Sequence, residues 1–266
     1  MRGLVLAAEG AGFTPPSSRE FFPPAVFHVG GFAVTRILLL VVATAVVLAV
    51  FYWLAARPAA LVPGRLQFVG EGVYGFVRNS IAREVIGSRD FRAYVPYLAT
   101  LFSFILLNNL LGIIPFIQFP TMSKFGLPLF LAIISWLLYN IVGIRRQGGI
   151  LPYLRLQSLP PGMPGWIKPL IIPLEFASNI LVRPVTLSLR LFANMFAGHL
   201  LLLVFALGGE YLLVESVGLL PKLLSPFAFL LYIVMTFFEA LVQVLQAYIF
   251  TLLSALYVAG ALAEEH

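Results

Sequence analysis

Residues 225–262 read SPFAFLLYIVMTFFEALVQVLQAYIFTLLSALYVAGAL, with Glu239 as the single charged side chain. Ser225 is placed to cap a helix whose first position is Pro226, a residue that has no N–H to lose there. No Gly or Pro follows until Gly260, so nothing marks a break. At 1.5 Å per residue such a helix runs to about 55 Å, well beyond the roughly 30 Å of a bilayer core. The stretch is therefore expected to cross lipid at a steep tilt. A tilted rod needs a protein surface to lean against, because lipid alone gives no reason to lie flat.

The rest of the 266 residues agrees with a chain built for lipid. Hydrophobic residues make up 61% and charged residues 11%, against about 25% charged in a soluble domain. A soluble globule of this length has no core large enough for so much apolar surface. There is no cysteine, which excludes thiolate metal sites and cysteine nucleophiles. Residues 1–31, with Pro15, Pro16, Pro23 and Pro24, read as a non-helical extramembrane segment. The apolar run at 4–8 is too short for a signal peptide, and Glu9 ends it.

Working back from the long helix, the remainder of residues 32–266 reads as one integral membrane domain. Crossings are expected at 37–56, 94–117 and 125–144, the last two joined by a short connection at 120–124. Residues 57–93 mix six arginines with Leu66, Phe68, Val73, Val77, Ile81 and Val85 at helical spacing. That pattern predicts a surface helix and loop. Residues 145–168 form a Pro- and Gly-rich loop carrying Arg145, Arg146, Arg155 and Lys168 and no acid. A fourth membrane helix covers 169–208. The fold expected is an all-α polytopic membrane protein: about five membrane helices, a surface amphipathic helix, and a final pair forming a long tilted hairpin.

The two basic segments hold ten of the 17 Lys and Arg residues, and the crossings put both on one side. The positive-inside rule makes that side the cytoplasm, with the N-terminus outside and Glu264, Glu265 and His266 inside. Arg36 then anchors the outer end of the first crossing, and Glu210 and Glu215 are outer loop charges.

Charges at lipid depth cost about 2.5–3.5 kcal/mol each on insertion scales. Glu175, Arg190, His199 and Glu239 therefore need a function or a partner. Stepping 100° per residue, Asn179, Arg183, Thr186 and Asn194 share the face of Arg190, while His199 points the opposite way. Glu239, Gln243 and Gln246 make a second polar stripe. Pro184 removes one backbone hydrogen bond and is expected to bend the helix near Arg183, with Thr186 or Asn179 satisfying the freed group. Gln243 reads as a helix contact, Arg183 as snorkelling to headgroups, and Tyr232, Tyr248 and Tyr257 as packing aromatics.

The run RPVTLSLRLFANMFAGH at 183–199 resembles the signature of the membrane-embedded a subunit of rotary F-type ATP synthases. So do QAYIFT at 246–251, the tail at 257–266, and Asn109 followed by Pro115. The likeness covers residues 90–266 and is most specific at Arg190. It implies a non-catalytic, proton-conducting stator with two offset aqueous half-channels, with no cofactor and no metal. Arg190 would face the carboxylate of each passing c subunit, and Gln246 and Asn194 would pack beside it. His199 and Glu239 would line the outer half-channel with Asn109. Glu175 and Ser178 would belong to the cytoplasmic one. Gly112 stands where some relatives carry an Asp. The implied partners are a ring of c subunits, peripheral-stalk b subunits, the rest of the ATP synthase and the lipid bilayer, with no nucleic acid; the location is the inner (plasma) membrane.

Physical chemistry supports such a role independently. A guanidinium keeps its proton and cannot relay one, but it favours ionisation of an acid brought against it. An imidazole titrates near neutral pH and can hand protons on. The alternative, an independent proton-coupled secondary transporter, predicts duplicated halves and broken helices, and neither is evident. An intramembrane enzyme would need a catalytic motif, and none is present.

Overall fold

The computed structural model describes residues 13, 15–17, 24–29, 32–57, 63–114, 117–158, 168–216 and 218–262. Most of the N-terminal segment, Pro115, the centre of the 145–168 loop and the last four residues lie outside them. The protein is an all-α polytopic membrane protein in which, among the described residues, five helices are long and apolar enough to span a bilayer. The described non-helical element is a short antiparallel hairpin, β1 (Ala25–Val29) with β2 (Phe32–Thr35), pairing Phe27 with Val34 and His28 with Ala33.

Helix α1 (Arg36–Ala56) starts where the Thr35 hydroxyl accepts from the Leu38 amide at 3.4 Å. Leu38, Val42, Val46, Val50 and Trp53 are exposed along it, so its outer face is apolar on all but one stripe, as a lipid-facing helix requires. Arg36 donates to the Ile117 carbonyl at 3.1 Å and lies over the Phe119 ring. Arg36, expected as an anchor of the first crossing, is thus tied to the protein itself.

The basic segment after α1 contains α2 (Arg65–Phe76), which continues through a π turn at Val77–Arg83 and a last turn at Glu84–Ile86. Val77, Ile81 and Ala82 are buried, while Leu66, Phe68 and Val69 point outward. Gly70 meets α1 so closely that an added Cβ would lie 2.9 Å from that of Ala55, which only glycine permits.

Helix α3 (Phe91–Leu110) ends before Pro115, sooner than its hydropathy predicts. Polar capture is the cause. Asn108, fully buried, bonds Thr44 of α1 and accepts from the Thr121 hydroxyl at 2.8 Å. The Phe119 amide returns to the Leu111 carbonyl at 3.3 Å. The connection to α4 (Gly126–Arg146) is therefore a folded loop held under α3, longer than the 120–124 link. The loop at 145–168 contains a further helix, α5 (Ile150–Ser158), whose Tyr153 packs on Gly143 and donates to Asn140 at 3.1 Å.

The last two elements dominate the packing. Helix α6 (Lys168–Ala177) passes through a π turn, Ser178–Val182, into α7 (Arg183–Glu210) and a closing π turn, Tyr211–Glu215. Helix α8 is Leu219–Leu262, 44 residues, or about 66 Å at 1.5 Å per residue. It begins earlier than its sequence predicts, and Ser225 is not its cap. The Ser225 hydroxyl instead donates across to the Gly209 carbonyl at 2.9 Å. Pro226, the eighth residue, lies inside the helix and has no N–H to return to the Lys222 carbonyl. Contacts of Gly209 with Phe229, Gly198 with Glu239, Asn194 with Gln246 and Arg183 with Tyr257 keep α7 and α8 antiparallel along their length. Leu98, Ile105, Leu191, Met195 and Phe250 fill the core between α3, α7 and α8.

Candidate functional site

Along α7 the buried stripe is Leu187, Leu191 and Met195, and the opposite stripe is Thr186, Arg190, Ala193, Ala197 and Leu201. Arg190 is exposed and makes no hydrogen bond or ion pair with another described residue. A cation standing free within an apolar helix of membrane-spanning length is a costly group to place in lipid. The small side chains above it leave the helix backbone open to close approach by another helix.

One turn on, Asn194 turns inward, and its Nδ2 donates to Gln246 Oε1 at 2.8 Å. Gln246 is 2% exposed. Two turns nearer the α7–α8 turn, Gly198 lets the Glu239 carboxyl rest on the α7 backbone. A Cβ there would stand 3.1 Å from Glu239 Cδ. Glu239 is buried and accepts from Gln243 Nε2 at 3.1 Å. Asn109 Nδ2 donates to the Gln243 carbonyl at 3.3 Å. The Gln243 amide also faces Gly112, where a Cβ would lie 3.5 Å from its Nε2.

This string of polar side chains is not internally satisfied. Asn109 Oδ1, Glu239 Oε2, Gln243 Oε1 and Gln246 Nε2 are buried with no partner in the protein. Polar atoms buried in a low-dielectric interior are rarely left in this state. His199 is on the other side of Gly198. It lines a cavity of about 80 Å³ with Gly112, Ile113, Gln118, Leu202 and Tyr232. Gln118 is there in a left-handed conformation, φ 39°, unique among the described non-glycine residues, and such outliers gather at functional sites.

The residues singled out at the start of this helix pair form a separate cluster. Asn179 Nδ2 donates to Glu175 Oε2 at 3.3 Å, and Ser178 is half-buried in the π turn beside them. Glu175 is 15 residues before Arg190, about 22 Å along a helix. The structure therefore brings together Asn194 and Gln246, and Glu239, Gln243 and Asn109. It lodges His199 in the cavity with Gly112 and Tyr232 and keeps Glu175 and Ser178 apart from all of them.

The face assigned to Arg190 from the sequence is corrected at two positions, Asn194, which turns inward to Gln246, and Asn179. Asn179 does not share the face of Arg190: it is buried and Arg190 is exposed. The π turn inserts one residue and turns the downstream face back by about 100°. Arg183, expected to snorkel to headgroups, lies over the Tyr257 ring at 5.2 Å. Gln243, read from sequence as a plain helix contact, proves to be the link between α3 and Glu239. Its spacing four residues after Glu239 was the available signal.

Comparison with known proteins supplies what geometry leaves open. Residues 37–259 match the family model described as ATP synthase A chain. The chain belongs to that family. It is 55% identical to the ATP synthase subunit a of a Nocardioides species, over 99% of this chain and 98% of the relative. It is 48% identical to that of Pseudarthrobacter chlorophenolicus over the full length of both. The subunit a of Streptomyces lividans is 38% identical over 97% and 91% of the two chains. As a member of the ATP synthase A chain family the protein is a membrane-embedded, non-catalytic part of an ATP synthase complex.

Proposed function

We propose that this chain is the proton-conducting stator of its ATP synthase, with Arg190 as the fixed charge against which a ring of acidic c subunits turns. The observation that carries the reading is the outward, unpaired Arg190 on a helix face lined by Ala193 and Ala197. The helix is braced from behind by the Asn194–Gln246 bond.

The mechanism follows from charge. A protonated carboxylic acid travels through lipid at far lower cost than an ionised one. Arriving at Arg190, the acid meets a cation that stabilises its ionised form and gives up its proton. The guanidinium cannot accept that proton, so it must leave by an aqueous path. The carboxylate is reprotonated from a second path before it re-enters lipid. Arg190 also repels protons that would pass directly from one path to the other.

The outer path is assigned to His199, Glu239, Gln243 and Asn109, and the inner one to Glu175 and Ser178. Buried polar atoms without protein partners run along Glu239, Gln243 and Asn109, and chained donors and acceptors of this kind carry protons through water. The separation of about 22 Å between Glu175 and Arg190 gives the two paths their offset. A membrane potential supplies about 2.3 kcal/mol per charge per 100 mV to drive the cycle. The remaining partners are b subunits of the peripheral stalk, and the location is the plasma membrane with the N-terminus outside. Arg190→Ala in inverted membrane vesicles is the test. ATP-driven proton pumping is lost while ATP hydrolysis by the attached catalytic sector persists; pumping at the wild-type ratio removes the assigned role.

A further inference from the structure

The junction between α6 and α7 contains a backbone carbonyl that the helix itself cannot satisfy. In the π turn Ser178–Val182, hydrogen bonds run back five residues, and the Arg183 amide donates to the Ser178 carbonyl. The next bond in that register would join residue 184 to the Asn179 carbonyl, and residue 184 is proline, which has no N–H. Neither local candidate replaces it. The Thr186 hydroxyl donates to the Val182 and Arg183 carbonyls, and the Asn179 side chain donates to Glu175. The donor comes instead from another helix: the Tyr139 hydroxyl of α4 reaches the Asn179 carbonyl at 3.0 Å. Tyr139 is 2% exposed and its ring is wedged against Tyr257 of α8 at 5.5 Å between centroids.

We propose that Tyr139 is a positioning residue for Arg190, acting as the hydrogen-bond donor that Pro184 lacks. The inserted residue of the π turn sets the azimuth of everything downstream on α7, including Arg190 two turns later. An α-helical register at this point would turn Arg190 by about 100° out of its outward stripe. The π register leaves one carbonyl bare, and in a buried, water-poor site that is costly. Tyr139 removes the cost and so holds the register. The inference rests on the stator reading of Arg190 given above.

The test uses the whole ATP synthase in inverted vesicles and reads the ratio of proton pumping to ATP hydrolysis. Tyr139→Phe keeps the ring and removes the donor, and the ratio falls by about fivefold or more. Pro184→Ala returns an N–H to position 184. Placed in the Tyr139→Phe background, it restores the ratio to at least half the wild-type value. If Tyr139→Phe prevents assembly of the complex, restoration of assembly by Pro184→Ala is read in place of the ratio. A Tyr139→Phe complex coupled like wild type, or a defect that Pro184→Ala leaves unchanged, overturns the inference, because loss of packing alone gives no reason for rescue by a backbone donor. Arg190→Ala uncoupled alongside a normal Tyr139→Phe defeats only this inference; Arg190→Ala fully coupled defeats the reading beneath it.

Discussion

Asn194 Nδ2 donates to Gln246 Oε1 at 2.8 Å, joining α7 to α8 one helical turn from Arg190. The other amide atom of Gln246, Nε2, is buried without a protein partner. The bond therefore fixes one end of a side chain whose other end is left unbonded in the protein interior.

Asn194→Ala leaves both ends of the Gln246 amide unbonded, at a cost of about 1–3 kcal/mol. Coupled pumping in vesicles falls several-fold with hydrolysis preserved. Gln246→Leu has a similar effect, and the double variant is no worse than the poorer single one. Additive losses would separate the two side chains functionally.

Gly198→Ala pushes a methyl group into the Glu239 carboxyl, which has atoms 3.1 and 3.2 Å from the new Cβ. The carboxyl must move off the α7 backbone. Passive proton flux through vesicles stripped of the catalytic sector drops several-fold while the amount of assembled complex is unchanged. Wild-type flux in this variant would exclude Glu239 from the conducting path.

Glu239→Gln and His199→Ala each delete a titratable group at the proposed outer path. Proton flux measured from about pH 6 to about pH 9 becomes lower and flatter in both variants, since the side chains that exchange protons are gone. A profile superimposable on wild type in both would reject the assignment.

Asn108 holds α1, α3 and the following loop together through Thr44, Thr121 and the Phe104 carbonyl, and it is fully buried. Asn108→Ala removes the side-chain bonds to both threonines, which keep only the carbonyls of Val41 and of residue 108, and costs about 1–2 kcal/mol. A lower melting temperature of the detergent-solubilised subunit, by several degrees, reports it. An unchanged melting temperature would show the cluster to be energetically idle.

Single cysteines at Ala193, Ala197 and Leu201 occupy the outward stripe with Arg190 and crosslink to an acidic-ring subunit. Cysteines at Leu191 and Met195, buried against the core, do not. Asn194, although one turn from Arg190, reacts poorly because it faces Gln246. Equal reactivity around α7 would contradict the outward placement of Arg190.

Membrane class and the five apolar helices were legible in the sequence, as was the presence of Arg190, His199 and Glu239 within apolar runs of membrane length. Lipid imposes its requirement residue by residue: apolar runs of spanning length and rare charges are visible without any knowledge of packing. The same is true of the α7–α8 hairpin, whose length exceeds one perpendicular crossing.

Only the tertiary structure decided which groups meet. The 100° step placed Asn179 with Arg190, and a π turn stabilised by Tyr139, some forty residues earlier in the chain, separated them. Ser225 had the chemistry of a helix cap, yet its hydroxyl found the Gly209 carbonyl in the neighbouring helix. Gln243 became central because Asn109 and Gly112 approach it from α3. Helical periodicity is a local property, whereas the satisfaction of buried polar atoms depends on side chains brought in from elsewhere. The long-range partners fix the register and facing of each helix, and sequence spacing alone carries no record of them.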